Sequence, residues 1–104
     1  MGKIKWTEKA SDNLLAIFNY IASDSKIYAS RFVRSLIAAT EKLETMPNCG
    51  RIVPELDGYG FREVFYRNYR IIYRILKNDD IEILAVIHCA REIGLLFTDD
   101  YELK

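Results

Sequence analysis

Lys3 to Trp6 alternates polar and apolar side chains, the period-two pattern of a half-buried strand, and Trp6 is large enough to anchor an edge of a core. From Thr7 the period changes. Leu14, Ile17, Phe18 and Ile21 recur at helical spacing, and the Thr7 hydroxyl is placed to cap the helix they define. Ser23, Asp24 and Ser25 then interrupt the pattern with cap-forming side chains. After them Ala29, Phe32, Val33, Leu36, Ile37, Thr40 and Leu43 fall on one stripe and predict a second helix. Pro47 disfavours helical backbone at the residue before it, so this helix is expected to stop at Met46, with Asn48 and Gly50 supplying turn chemistry.

The second half has a different texture. A loop from Cys49 to Gly60 contains Gly50, Pro54, Gly58 and Gly60. It is followed by three segments rich in β-branched and aromatic residues: Phe61 to Tyr66, Tyr69 to Leu76 and Ile81 to Ala90. Asn68 and the Asn78–Asp80 cluster separate them, and connections this short allow only antiparallel hairpins. Two amphipathic helices on a short connection must bury their stripes against something, and this meander is the available partner. The expected fold class is α+β: an N-terminal strand and an antiparallel helical hairpin packed on one face of a small antiparallel β-sheet. No repeat, low-complexity stretch or linker divides the 104 residues, so 1–104 is expected to be one domain. Residues 92–104 form an extension with four acids against one base and the apolar triplet Leu95, Leu96, Phe97, which is expected to dock on the domain.

Composition narrows the function classes. Fifteen Lys plus Arg balance fifteen Asp plus Glu, so the chain lacks the basic excess of a non-specific nucleic-acid binder. No apolar run approaches the roughly 20 residues of a membrane span, and no secretory leader is recognisable, so a cytoplasmic location is expected. Cys49 and Cys89 form no CxxC pair and the chain has one histidine, which excludes a closed zinc site; no metal and no cofactor are expected, and the thiols are read as free, with Cys89 in the core. The serines lie in the helical half without a nucleophile-elbow pattern, and Gly58 and Gly60 lack the following helix that a phosphate loop needs.

What remains is arginine. Arg51, Arg62, Arg67, Arg70, Arg74 and Arg91 are six of the eight in the chain, and all lie between residues 51 and 91. A hairpin turning at Asn78 and Asp79 sets Arg70 opposite Ile87, Ile72 opposite Ala85 and Arg74 opposite Ile83, with Tyr69 opposite His88 and Tyr73 opposite Leu84. Arg70 and Arg74 then share one sheet face, while Tyr69, Ile71, Tyr73, Leu84, Val86 and His88 share the face that suits the helices. Arg62 takes either parity, depending on whether its hairpin turns on two residues or three. Guanidinium forks on an uncovered face suit phosphate or carboxylate, but Glu63 and Glu82 are placed to neutralise neighbours across strands. His88 is the only general base of ordinary type, and a lone histidine near a strand end is more often packed than catalytic.

The ordered set of Tyr20-Ile21-Ala22, Pro47 with Gly50-Arg51, Arg62-Glu63, Tyr69-Arg70-Ile71-Ile72-Tyr73-Arg74 and Ile87-His88-Cys89-Ala90-Arg91 resembles the RelE/ParE toxins of bacterial type II toxin–antitoxin systems, over about Ile4 to Glu92. The resemblance implies a growth-inhibiting toxin neutralised by a cognate antitoxin. The family divides by target. RelE-like members are metal-independent ribonucleases that cut ribosome-bound mRNA, and by analogy would use Arg70, His88 and Arg91. ParE-like members poison DNA gyrase without being nucleases. Here the RelE-like lysine pair is replaced by Phe61, Arg62 and Glu63, and the terminal tyrosine position holds Phe97, which cannot exchange a proton. The chain therefore looks ParE-like. Its expected partners are a cognate antitoxin and gyrase, with ribosome and mRNA as the alternative and no direct DNA binding by the toxin alone. Arg51, Arg62, Arg70, Arg74 and Arg91 are then partner contacts and no residue is catalytic; an inactive toxin that keeps only antitoxin binding is the remaining reading.

Overall fold

A computed structural model describes residues 2–56 and 58–90. The chain runs β1 (Ile4–Trp6), α1 (Glu8–Ala22), α2 (Lys26–Thr40), β2 (Arg51–Ile52), β3 (Arg62–Tyr66), β4 (Tyr69–Ile75) and β5 (Ile81–His88). The five strands form one sheet in the order β1-β5-β4-β3-β2, with β1 parallel to β5 and the other pairs antiparallel. The expected α+β architecture is present, but the sheet is mixed and not purely antiparallel, because β1 joins the β5 edge in parallel.

Local chemistry accounts for the helices. The Thr7 side chain accepts from the Ala10 N–H at the start of α1, and Ser25 accepts from Tyr28 N–H at the start of α2. The second helix ends sooner than Pro47 alone predicts: α-geometry stops at Thr40 and a tight 3-10 turn continues over Glu41–Glu44. That turn keeps Leu43 in the core while leaving Met46 exposed, because a three-residue turn carries the stripe only one step further.

The helical hairpin covers one sheet face. Ala10, Ile17, Leu36 and Leu43 pack there against Val64, Ile71, Tyr73, Ile81, Ile83 and Val86. The other face is not bare, as the sequence suggested. Val53, Leu56 and Phe61 fold back across it onto Ile72, Leu84, Ala85 and Ile87, forming a second, smaller core. The loop between Cys49 and Gly60 is thus a strap with structure of its own: it opens with β2 and includes a 3-10 turn at Pro54–Leu56.

The register differs from expectation at one place. Arg70 faces Ile87, Ile72 faces Ala85 and Tyr69 faces His88, but a bulge after Ile72 sets Tyr73 opposite Ile83 and Arg74 opposite Glu82. Leu84 therefore moves to the helix-free side with Ala85, correcting its assignment to the inner face. Five consecutive apolar residues, Ile83–Ile87, carry no alternation, so the sequence held no sign of the extra residue. The first hairpin turns on Arg67 and Asn68, which sets Arg62 opposite Tyr73. Cys89 is exposed and not core; both cysteines are free.

Candidate functional site

Cross-strand pairing puts Arg51, Glu63, Phe65, Arg70, Arg74 and Glu82 on the helix-free face. There Arg70 is buried, and each of its three guanidinium nitrogens meets a carboxylate oxygen. Nε and Nη2 both lie 2.6 Å from Oε1 of Glu63. The outer edge forms a bidentate pair with Glu55, Nη1 to Oε2 and Nη2 to Oε1 at 2.8 Å each. Glu63, whose side chain is 0% exposed, accepts a further bond from Arg51 Nε. Two cations and two carboxylates thus close a neutral cluster, which is how buried charge is tolerated at all.

The cluster ties three elements together. Glu63 comes from β3, Arg70 from β4 and Glu55 from the strap, so the ion pairs hold the strap over the second core. Hydrogen bonds from Arg70, outweighing the effect of desolvation, hold the Glu55 carboxyl at about 2, against an ordinary 4.5. The same two carboxylates, Glu55 foremost, raise the pKa of Arg70 further above its ordinary value. Asp80 is also held below its usual range, by the Lys3 backbone N–H first and then by Lys5.

A stability consequence follows for acid. A carboxyl whose folded value is depressed stabilises the fold fully above its unfolded value, and that contribution is lost as pH falls toward the folded value. For Glu55 the window runs from the ordinary 4.5 down to about 2. Acid unfolding followed by circular dichroism should therefore show stability falling across this window, and Glu55→Gln should flatten the slope; an unchanged slope in the variant would mean that the carboxylate is not linked to folding.

The remaining predicted contacts are dispersed. Arg62 donates to the backbone carbonyls of Gly50 at 2.7 Å and Asn48 at 3.4 Å, bracing the start of the strap. Arg74 pairs with Glu82 at 2.7 Å and stays 45% exposed in its side chain. Arg51 lies over the exposed Phe65 ring. Arg67 sits at the β3–β4 turn with a positive φ, its guanidinium against Tyr66. Arg91 and Phe97 lie outside the described residues.

His88 is exposed on the opposite side from Arg70, since it follows Ile87, the residue across from Arg70. Its ring meets Tyr69 edge-on at 5.5 Å, and Nδ1 accepts from the Ala90 N–H. Arg70 and His88, two of the three residues in the nuclease alternative, are thus on opposite faces of the sheet. Tyr69 packs against Phe32 at 5.9 Å, and burial raises its phenol above the ordinary value, away from proton exchange near neutrality. Among the described residues, no group of His, Cys, Asp and Glu is arranged to hold a metal.

Sequence reasoning identified Glu63 and Glu82 as neutralisers, but it missed Glu55. The signal available was weak, one of two acids that follow Pro54 in a glycine-rich loop, and only the folded strap brings it beside β4. The helical hairpin also exposes large apolar side chains, with Leu15 at 59%, Tyr20 at 79%, Ile27 at 68% and Tyr28 at 57%.

Residues 4–93 match the model of a family described as the ParE toxin of type II toxin-antitoxin system, parDE. Among solved structures the chain is similar to one described as a chromosomal ParDE TA system from P. aeruginosa, with a TM-score of 0.67 and 25% identity, covering 85% of this chain and 96% of that one. No curated protein matches.

Proposed function

The chain belongs to the ParE toxin family of type II toxin–antitoxin systems, and on that premise we propose that it arrests growth by binding DNA gyrase in the cytoplasm, as a single domain with 92–104 appended. A cognate antitoxin neutralises it. Among the described residues no helix is long and apolar enough to cross a membrane.

The observation that supports a protein target over RNA is the Arg70 cluster. A scissile phosphate needs free cationic donors aimed at it, whereas the Arg70 fork is filled by Glu63 and Glu55. Glu63 faces the same side and would repel a phosphate placed there. The exposed apolar side chains of the hairpin support the antitoxin, since an apolar partner segment covering them removes an aggregation-prone surface. On the sheet, Arg51 and Arg74 remain exposed enough to meet a partner, while Arg70 and Arg62 serve the fold and orient what surrounds them.

The test is a gyrase assay beside a ribosome assay. Purified toxin should inhibit supercoiling and accumulate cleaved DNA–gyrase complexes, antitoxin should restore supercoiling, and ribosome-bound mRNA should stay intact. Cut mRNA with unaffected gyrase would reverse the assignment, and inactivity in both assays with retained antitoxin binding would identify an inactive toxin.

A further inference from the structure

We propose that the cleft between α1 and the end of β5 is a binding site for a small monocarboxylic acid, with Lys9, Asn13, Tyr69 and His88 holding the carboxylate. The site lies on the opposite side of the sheet from the Arg70 cluster and does not depend on the toxin's target.

The cleft opens where β1 runs out. β1 pairs with β5 only from Ile81 to Ile83. Beyond that point α1 takes over the strand edge: the Thr7 hydroxyl donates to the Ile83 carbonyl at 3.0 Å, and Asn13 Oδ1 accepts from the Val86 N–H at 2.9 Å. The cleft between helix and strand has a volume of about 260 Å³. Ala16 and Val86 contribute carbon to its lining, and Lys9, Asn13, Tyr69 and His88 contribute polar groups. Pockets for drug-sized ligands run to roughly 300–1,000 Å³, so this one suits a smaller molecule.

What the polar residues have left to offer is donors. Asn13 commits its carbonyl oxygen to Val86, which fixes the orientation of the amide and leaves both Nδ2 hydrogens over. His88 Nδ1 accepts from the Ala90 N–H at 3.2 Å, so the neutral ring carries its proton on Nε2. Burial holds the Tyr69 phenol above its ordinary pKa, and it stays protonated near neutrality. Among the described residues neither Asn13 Nδ2 nor the Tyr69 hydroxyl has a hydrogen-bond partner. Lys9 adds a positive charge, and the lining contains no Asp or Glu. A cleft that presents a cation and several donors, with its amide and imidazole acceptors already used, is matched by an anion that only accepts, and an ionised carboxylate is such a group. The carbon of Ala16 and Val86 then favours a carboxylate carried on an apolar body over inorganic phosphate, which is polar on every side.

The experiment is an NMR titration of the full chain with sodium benzoate, with sodium chloride keeping the ionic strength constant. Saturable shifts should appear at the Asn13 side-chain amide, the His88 ring and the Val86 methyl groups, while Leu43, in the core away from the cleft, stays in place. Benzamide has the same shape without the charge and should bind about tenfold more weakly. Inorganic phosphate at equal concentration should not displace benzoate. Tyr69→Phe keeps the ring against Phe32 and His88 and removes only the hydroxyl, and Lys9→Met keeps the stem and removes the charge; each should weaken benzoate by about fivefold with the backbone amide spectrum preserved. Shifts that fail to saturate, or that benzamide reproduces at the same concentration, would overturn the proposal, as would unchanged affinity in both variants. Displacement by phosphate would assign the cleft to a wholly polar anion and reject the carboxylic acid.

Discussion

Arg70→Ala should lower the unfolding free energy by about 3–5 kcal/mol, the usual cost of stranding one partner of a buried ion pair. The residue left behind is Glu63, with a side chain 0% exposed and only the largely exposed Arg51 still bonded to it. Against a typical total of about 5–15 kcal/mol, the loss is a large share of the fold's stability. Urea unfolding should show it as a lower midpoint at unchanged slope. Removing both buried charges should be much milder, because Arg70→Met with Glu63→Leu replaces the pair by apolar volume on a face already lined by Ile72 and Ile87. If the double variant were as unstable as the single one, the cost would lie in lost shape and not in stranded charge. The distinction matters for function. Weakened partner binding by Arg70→Ala would report a loosened strap, whereas Arg74→Ala, which removes an exposed pair with Glu82, should change stability by no more than about 1 kcal/mol and is the cleaner probe of the face.

The order of elements was legible because each carries a local signal. Thr7 and Ser25 cap the helices from their own side chains, and the Asn-rich turns fix the hairpins. The family resemblance was legible too, since its motifs sit on these same turns and strand ends. The strap was not. Its hold depends on Glu55 reaching Arg70, fifteen residues away, and on Val53, Leu56 and Phe61 finding a second apolar face whose existence is hidden by the bulge at Leu84. A continuous apolar run reads the same whether it buries one face or two. The arginines mislead for a related reason: their count and parity are visible in sequence, but whether a guanidinium faces solvent or a carboxylate is decided by loops with no periodicity. Register alone placed Arg70 on the correct face and left its partners open.

Gly50→Ala should destabilise the protein by about 1–3 kcal/mol through overpacking, although a glycine-to-alanine change in a loop is ordinarily neutral or helpful. A Cβ there would lie 2.5 Å from the Tyr73 hydroxyl and 2.6 Å from the Glu63 carbonyl, and neither can yield. Tyr73 is fully buried, accepts from the Gly50 N–H at 3.0 Å and donates to the Pro47 carbonyl at 2.6 Å. The Glu63 carbonyl belongs to the strand paired with Arg51. Tyr73→Phe keeps the ring but strands the buried Gly50 N–H, at a cost of about 1–3 kcal/mol. The two losses should not add, because phenylalanine removes the hydroxyl that the new methyl group strikes, and neighbours that share a contact couple by about 0.5–3 kcal/mol. Thermal unfolding of the four proteins in the cycle measures this coupling, and strict additivity would show that the hydroxyl is not what excludes a side chain at residue 50. Since Gly50 leads directly into Arg51, and Arg51 into Glu63, a backbone displaced here also shifts one of the two cations neutralising Glu63. The helix-free face thus depends on an uncharged glycine that lies outside the ion-pair cluster.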